Sequence, residues 1–259
     1  KTVNEIHAKI VDIFGMQIAL KKLDHVSVPN LNTVIENLGF ISYDENILLL
    51  NPNFMENVLE YQKKVAIGFI AHEFMHQLMG NAAIKWWQFL WLHEGLATFY
   101  EHYIPSLLYP NYDYIEIFRM QILDESFMID NRNETMNDYV EAPEEIFNKF
   151  NSISFRKAAV VIRMFHEALT PSTFAKGVRY YIENAKLQPA TPNDLHRALQ
   201  KSHDEDNEDV VNVGEMMTSW EDQAGYPILN VKRDGNDIVV TQYRYVNSMA
   251  QSEFSPTTS

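Results

Sequence analysis

Residues 66–79 read AIGFIAHEFMHQLM, and this stretch decides the fold. It continues an apolar pattern that opens at Asn51-Pro52, an N-cap followed by proline at the first helical position, and stops at Gly80-Asn81. A long helix is therefore expected from Asn51 to about Met79. Inside it His72 and His76 stand four residues apart, so both imidazoles project from one helical face and can converge on one cation. Glu73 lies beside them, within reach of a metal-bound water. Zinc lowers the pKa of its bound water to about 7, and a neighbouring carboxylate can take the proton as that water attacks a carbonyl.

A catalytic zinc keeps three protein ligands and one open position, so a third ligand is expected on a nearby element. The chain has no Cys, which leaves His and carboxylates as ligands. Glu94 is the candidate, in WWQFLWLHEG (86–95), whose aromatic residues can anchor a second helix over roughly Trp86 to Tyr103. Glu101 and His102 follow on that helix as alternatives.

Upstream, residues 1–20 carry a helical pattern with Ile6, Ile10, Ile13 and Phe14 near one face. Leu23 to Val28 and Phe40 to Leu50, separated by Pro29-Asn30, predict two or three strands. Downstream, residues 111–203 are helical in pattern, broken at Pro143, Pro171, Pro189 and Pro192. The acidic stretch His203 to Asp209 reads as a solvated loop, and helix resumes over Val213 to Ala224. Ile228 to Val231 and Ile238 to Tyr245 then alternate like strands around Asp234-Gly235. The expected fold class is α+β: a small N-terminal sheet and a mostly helical lobe in residues 1–225. Residues 226–246 would begin a following β domain, and the polar tail 247–259 is expected to be disordered.

Composition narrows the function. A 259-residue chain that is 46% hydrophobic can bury a sizeable core. Its net charge of −14 argues against nucleic acid as a partner, since phosphate binders present a basic face. No apolar run is long enough to span a membrane. Lys1 opens a helical pattern and not a signal peptide, so the chain reads as a piece of a larger protein. Asn133-Glu134-Thr135 is a glycosylation triplet that would suit an extracellular protein.

Several segments in order resemble the aminopeptidase N-like (membrane alanyl aminopeptidase) zinc peptidases, of the two-His-plus-Glu gluzincin class. They are Lys22 to Pro29, Glu36-Asn37 with Gly39-Phe40, His72 to Asn81, Trp86 to Ala97, Ser152 to Met164 and Trp220 to Val231. The resemblance implies a thermolysin-like architecture with one Zn²⁺ held by His72, His76 and Glu94. It implies Glu73 as general base and Glu36 as the group that binds the free α-amine of a peptide substrate. A carboxylate suits that task because it pairs with an ammonium and restricts attack to the first bond. The resemblance also implies a membrane-anchored extracellular or secreted setting, while a cytoplasmic one is compatible with this segment.

The sequence departs from the family where mechanism is concerned. The family's Gly-Ala-Met-Glu-Asn motif reads Thr33-Val34-Ile35-Glu36-Asn37, which keeps the acidic anchor and enlarges the residues beside it. Seventeen residues separate His76 from Glu94, one fewer than in the family, with the deletion at Ala82 to Lys85. Phe89 and His93 stand where the family commonly has Asp and Asn. Phe155, in Ser152 to Ala158, occupies the position of the Tyr that donates to the oxyanion in the family. Losing such a donor typically costs about 2.7–4 kcal/mol. Two readings follow: a zinc aminopeptidase of reduced activity, or an inactive pseudopeptidase that serves as a peptide-binding module. Tyr43 and Tyr100 are the candidates for a replacement donor near the site.

Overall fold

The computed structural model describes residues 1–50, 53, 55–79, 84–130, 134–185, 188–207 and 209–245. The Asn51-Pro52 cap, the Gly80-Asn81 stop, Ala82 and Ala83 of the shortened turn, Asn133 of the glycosylation triplet and the tail 247–259 lie outside the described residues.

Helix α1 (Thr2–Phe14) buries Ile6, Ile10 and Phe14. It stops earlier than the expected residue 20 because Gly15 takes the left-handed conformation, φ 63°, and returns its N–H to the Val11 carbonyl. Three strands follow: β1 (Asp24–Val28), β2 (Val34–Asn37) and β3 (Phe40–Asp44), in the order β1-β3-β2. β1 runs parallel to β3, while β2 pairs with it antiparallel with Glu36 opposite Ile41. The strand expected over Phe40 to Leu50 ends at Asp44. Its carboxylate caps the short helix α2 (Glu45–Leu48) by accepting from the Asn46 N–H at 2.9 Å.

Helix α3 (Glu56–Met79) crosses the centre of the molecule. Ala66, Ile67, Ile70, Ala71, Phe74, Met75, Leu78 and Met79 are all buried, which surrounds the helix with packing on every side. A 3-10 turn, Trp87–Phe89, leads into α4 (Leu90–Leu108), which packs against α3. This helix runs past the expected end at Tyr103 and through Pro105. Near the C-terminus the proline forfeits one backbone bond, and the Tyr109 N–H still reaches the Pro105 carbonyl at 2.8 Å.

The rest of the lobe is helical. It comprises α5 (Tyr114–Ile117), α6 (Asp124–Ile129), α7 (Pro143–Ile146), α8 (Ala158–Ala168), α9 (Pro171–Ala185), α10 (Pro192–Asp206) and α11 (Val213–Glu221). Two π-helical segments, Phe118–Leu123 and Ile153–Lys157, lie between α5 and α6 and ahead of α8. The acidic stretch expected as a loop is helical as far as Asp206. His203 is buried there, and Asp206 accepts from Thr173 and Lys176 of α9. Partner charges on α9 make a helical face out of what reads as a solvated run. The hairpin of β4 (Pro227–Asp234) and β5 (Asp237–Arg244) turns at Gly235, φ 60°. The molecule is thus α+β: a small sheet, a large helical lobe and a C-terminal hairpin. Among the described residues no helix is long and apolar enough to cross a membrane.

Candidate metal centre and cleft

His72 and His76 meet on one face of α3, and Glu94 comes to them from the second turn of α4. The His72 and His76 Nε2 atoms are 3.0 Å apart, and Glu94 Oε2 lies 3.6 and 3.4 Å from them. All three residues are buried, and this is the group of metal-competent side chains found among the described residues. Three ligands held about 2.0–2.2 Å from one ion in a tetrahedral arrangement sit about 3.3 Å from one another. The observed separations bracket that value, so the donor set fits zinc in both chemistry and spacing. Burial alone would raise the Glu94 carboxyl, but the charges of His76 and His72 and their hydrogen bonds hold it well below the carboxylate range.

Glu101 is not in the donor set. It lies seven residues after Glu94, two turns along the same face of α4, and its Oε2 is 3.0 Å from His72 Nδ1. It therefore orients the imidazole from behind, as outer carboxylates do for metal-binding histidines. His102, the other alternative, also lines the cleft but stands outside the donor set, and its Nδ1 bonds the Thr98 carbonyl at 3.1 Å. Gly68 on α3 lets Glu101 come this close: a Cβ there would sit 3.3 Å from Glu101 Cγ.

Glu73 is buried, and its Oε2 has no hydrogen-bond partner. Burial pushes its carboxyl up to about 7, opposed by His72 and His76 and assisted by the charges of Glu36 and Glu94. Glu36, on the exposed edge of β2, faces the same cleft. Its position is fixed by a residue that sequence reasoning missed. Gln77, directly after His76, accepts from the Gly39 N–H at 2.8 Å and donates to the Asn37 carbonyl at 3.0 Å. It clamps both ends of the β2–β3 turn onto the metal helix. Glu101 was legible in part from its i+7 spacing to Glu94, whereas nothing in the sequence marks Gln77 as more than a polar helix residue.

The cleft encloses about 420 Å³. Thr33, Val34 and Glu36 form one wall, His72, Glu73, Glu94 and Glu101 the floor, and the two π-helical segments the far side through Gln121, Ile122, Phe155 and Arg156. π-bulges recur at functional sites because the widened turn re-aims side chains. Phe155 lines the cleft as the resemblance requires of that position, with a ring and no hydroxyl. No Tyr lines the cleft among the described residues. Tyr100 is packed among Phe14, Phe99 and Tyr103, and Tyr43 bonds His25 at 2.9 Å, so neither candidate replacement donor faces the cleft. Arg156 is the one Lys or Arg among the lining residues, held by Ser152 and by Glu125.

A buried two-histidine, one-carboxylate donor set in a cleft between a small sheet and a helical lobe is the arrangement of a metallopeptidase domain. The chain belongs to peptidase family M1, whose domain model matches residues 2–220. It is 34% identical to glutamyl aminopeptidase of Bos taurus over 242 residues, covering 91% of this chain and 24% of that protein. With glutamyl aminopeptidase of Homo sapiens it shares 31% over 242 residues, 91% of this chain and 24% of the other. With aminopeptidase M1 of Arabidopsis thaliana it shares 32% over 259 residues, 96% of this chain and 28% of the other. The chain thus spans about a quarter of the length of the curated relatives it matches.

Proposed function

We propose that this chain is the zinc-binding catalytic part of an aminopeptidase that removes N-terminal residues from peptides at a reduced rate. The observation that carries the reading is the buried His72, His76, Glu94 set with the unpartnered Glu73 Oε2 beside it. In this reading residues 1–225 form the catalytic unit, the segment from 226 onward begins a further β domain, and the setting is membrane-anchored extracellular or secreted.

His72, His76 and Glu94 would hold the zinc, with Glu101 keeping His72 in the ligating orientation. The bound ion would polarise the scissile carbonyl and acidify a water. Glu73 takes the proton of that water and delivers it to the leaving amine; a buried carboxyl pushed up to about 7 suits both halves of the task. Glu36 pairs with the substrate ammonium and sets the register, so that only the first peptide bond reaches Glu73. Phe155 supplies no donor to the developing oxyanion, which leaves that charge without the hydrogen bond its position would otherwise provide.

The absence of a Tyr hydroxyl from the cleft lining favours a second reading, a zinc-holding pseudopeptidase that binds peptides through Glu36 without cleaving them. Turnover of a panel of amino-acid amides by the full-length protein separates the two. The enzymatic reading expects slow turnover that Glu73→Gln abolishes with zinc still bound, and that Phe155→Tyr raises by up to about 10²- to 10³-fold. No turnover in either the wild type or Phe155→Tyr, with zinc bound stoichiometrically, would leave the pseudopeptidase.

A further inference from the structure

Four carboxylates line the cleft, Glu36, Glu73, Glu94 and Glu101, and a single Lys or Arg, Arg156, stands among them. A ligand that brings a carboxylate of its own into this space is repelled by the acidic groups and attracted at that guanidinium. Arg156 belongs to the π-helical turn Ile153–Lys157, on the far side of the cleft from the wall of Thr33, Val34 and Glu36. Its charge reaches the floor. Against the opposing effect of burial, Glu101 is held below the ordinary carboxylate range by the His72 hydrogen bond and by the charges of His102, His72 and Arg156.

Arg156 is held at the wall without being saturated. Nη1 donates to Ser152 Oγ, four residues back on the same turn, at 2.8 Å. Glu125 Oε2 lies 2.6 Å from Nε, but the two side chains are 36% and 43% exposed. Ion pairs so open to water are weak, because solvent screens the attraction and holding two long side chains in one geometry costs entropy. A guanidinium carries five N–H donors in one plane, so these two contacts do not fill it, and Glu125 can give way to an incoming carboxylate.

We propose that Arg156 is a specificity-determining residue, which takes a carboxylate carried by the residue after the scissile bond. The source is either the free C-terminus of a dipeptide or an acidic side chain at that position. The inference rests on the role given to Glu36 above. With the ammonium fixed at the β2 wall and the scissile carbonyl over the His72, His76, Glu94 set, the far wall faces the residue that leaves.

Calorimetry at neutral pH on the zinc-loaded full-length protein carrying Glu73→Gln measures binding apart from turnover. Leucyl-glycine is expected to bind about tenfold more tightly than leucyl-glycinamide if the C-terminus is the source. Leucyl-aspartic acid α-amide should hold the same advantage over leucyl-asparagine α-amide if the side chain is. Adding Arg156→Gln should bring the ratio to about one, and adding Glu125→Gln, which removes the competing carboxylate, should raise it. A structural Arg156 would weaken acid and amide alike and leave the ratio standing, which would overturn the proposal. So would ratios near one before the Arg156 change, or no measurable binding of any of these dipeptides. A preference for glutamic acid α-amide over leucinamide that Arg156→Gln removes would put the carboxylate on the N-terminal side chain and overturn it as well. N-acetylation separates the underlying reading: acetyl-leucyl-glycine bound as tightly, with the acid preference intact, would remove the role of Glu36 and keep that of Arg156.

Discussion

Glu101 and Gln77 show how much of the site rests on single side chains outside the donor set. Glu101→Gln would keep the shape but replace an ionised acceptor at His72 Nδ1 by a neutral amide. Zinc affinity is expected to fall by about 10- to 100-fold, measured by competition with a chelating dye, while the fold persists. Gln77→Leu removes both hydrogen bonds that hold the β2–β3 turn and leaves the Gly39 N–H and the Asn37 carbonyl unmet, at a cost of about 1–3 kcal/mol. Because Glu36 stands in β2 directly before the clamped Asn37, KM for peptides with a free amine should rise roughly tenfold with zinc stoichiometry unchanged; an unaltered KM would detach Glu36 from substrate binding. The two residues also mark the limit of what could be read in advance. His72, His76 and Glu73 are legible because helical periodicity alone puts them together, and Glu94 because a third ligand must follow. Spacing cannot tell a ligand from the carboxylate behind a ligand, so Glu101 stood only as an alternative. Gln77 acts across a contact between residues far apart in sequence, and no local pattern encodes it.

At the scale of elements, two of the misread boundaries, the end of β3 and the helical acidic stretch, have one physical origin: side chains that supply caps or partners which the local pattern does not show. Asp44 ends β3 by capping α2, and it also accepts from the Asn32 N–H at 2.9 Å, tying down the loop before β2. The N–H groups of Asn32 and Asn46 hold its carboxyl below the ordinary 3.8 despite the opposing effect of burial. A carboxyl whose folded value lies below its unfolded one stabilises fully above the unfolded value, and that stabilisation drains away as pH falls through the folded one. Asp44→Ala should therefore lower the melting temperature at neutral pH, and the gap to the wild type should close below about pH 4. The contact of α4 with α8 is the second element-scale constraint. A Cβ at Gly95 would lie 2.6 Å from the Ala158 Cβ and 3.1 Å from its carbonyl carbon, with helix backbone on both sides. Gly95→Ala is expected to cost about 1–3 kcal/mol by calorimetry. Since Ala158 follows the π-helical turn bearing Phe155 and Arg156, the change should also shift that cleft wall. Any activity gained by Phe155→Tyr should then be lost in the double variant.

Across the whole molecule, one buried ion pair joins three parts that the sequence shows as separate. Lys157 closes the π-helical turn of the cleft and donates to Asp130, at the end of α6, at 2.9 Å and to the Gln223 carbonyl at 3.2 Å. The same Asp130 oxygen accepts from the Gly225 N–H at 3.0 Å, at the point where the chain leaves the helical lobe for the β4–β5 hairpin. Both side chains are almost wholly shielded from solvent, 4% and 5% exposed. Removing one partner strands a charge in a low-dielectric interior, and such losses cost about 3–5 kcal/mol. Lys157→Met fills the space of the lysine stem, so its penalty should come from the orphaned Asp130, and thermal unfolding should shift down by roughly 10 °C. Adding Asp130→Leu removes the stranded charge but takes the acceptor from Gly225, so the double variant should recover only part of the loss. Full recovery would mean that Asp130 serves Lys157 alone. Partial recovery would show that one carboxylate fixes both the cleft wall and the root of the hairpin, so that whatever packs on the exposed hairpin is anchored to the same residue that sets the turn carrying Phe155.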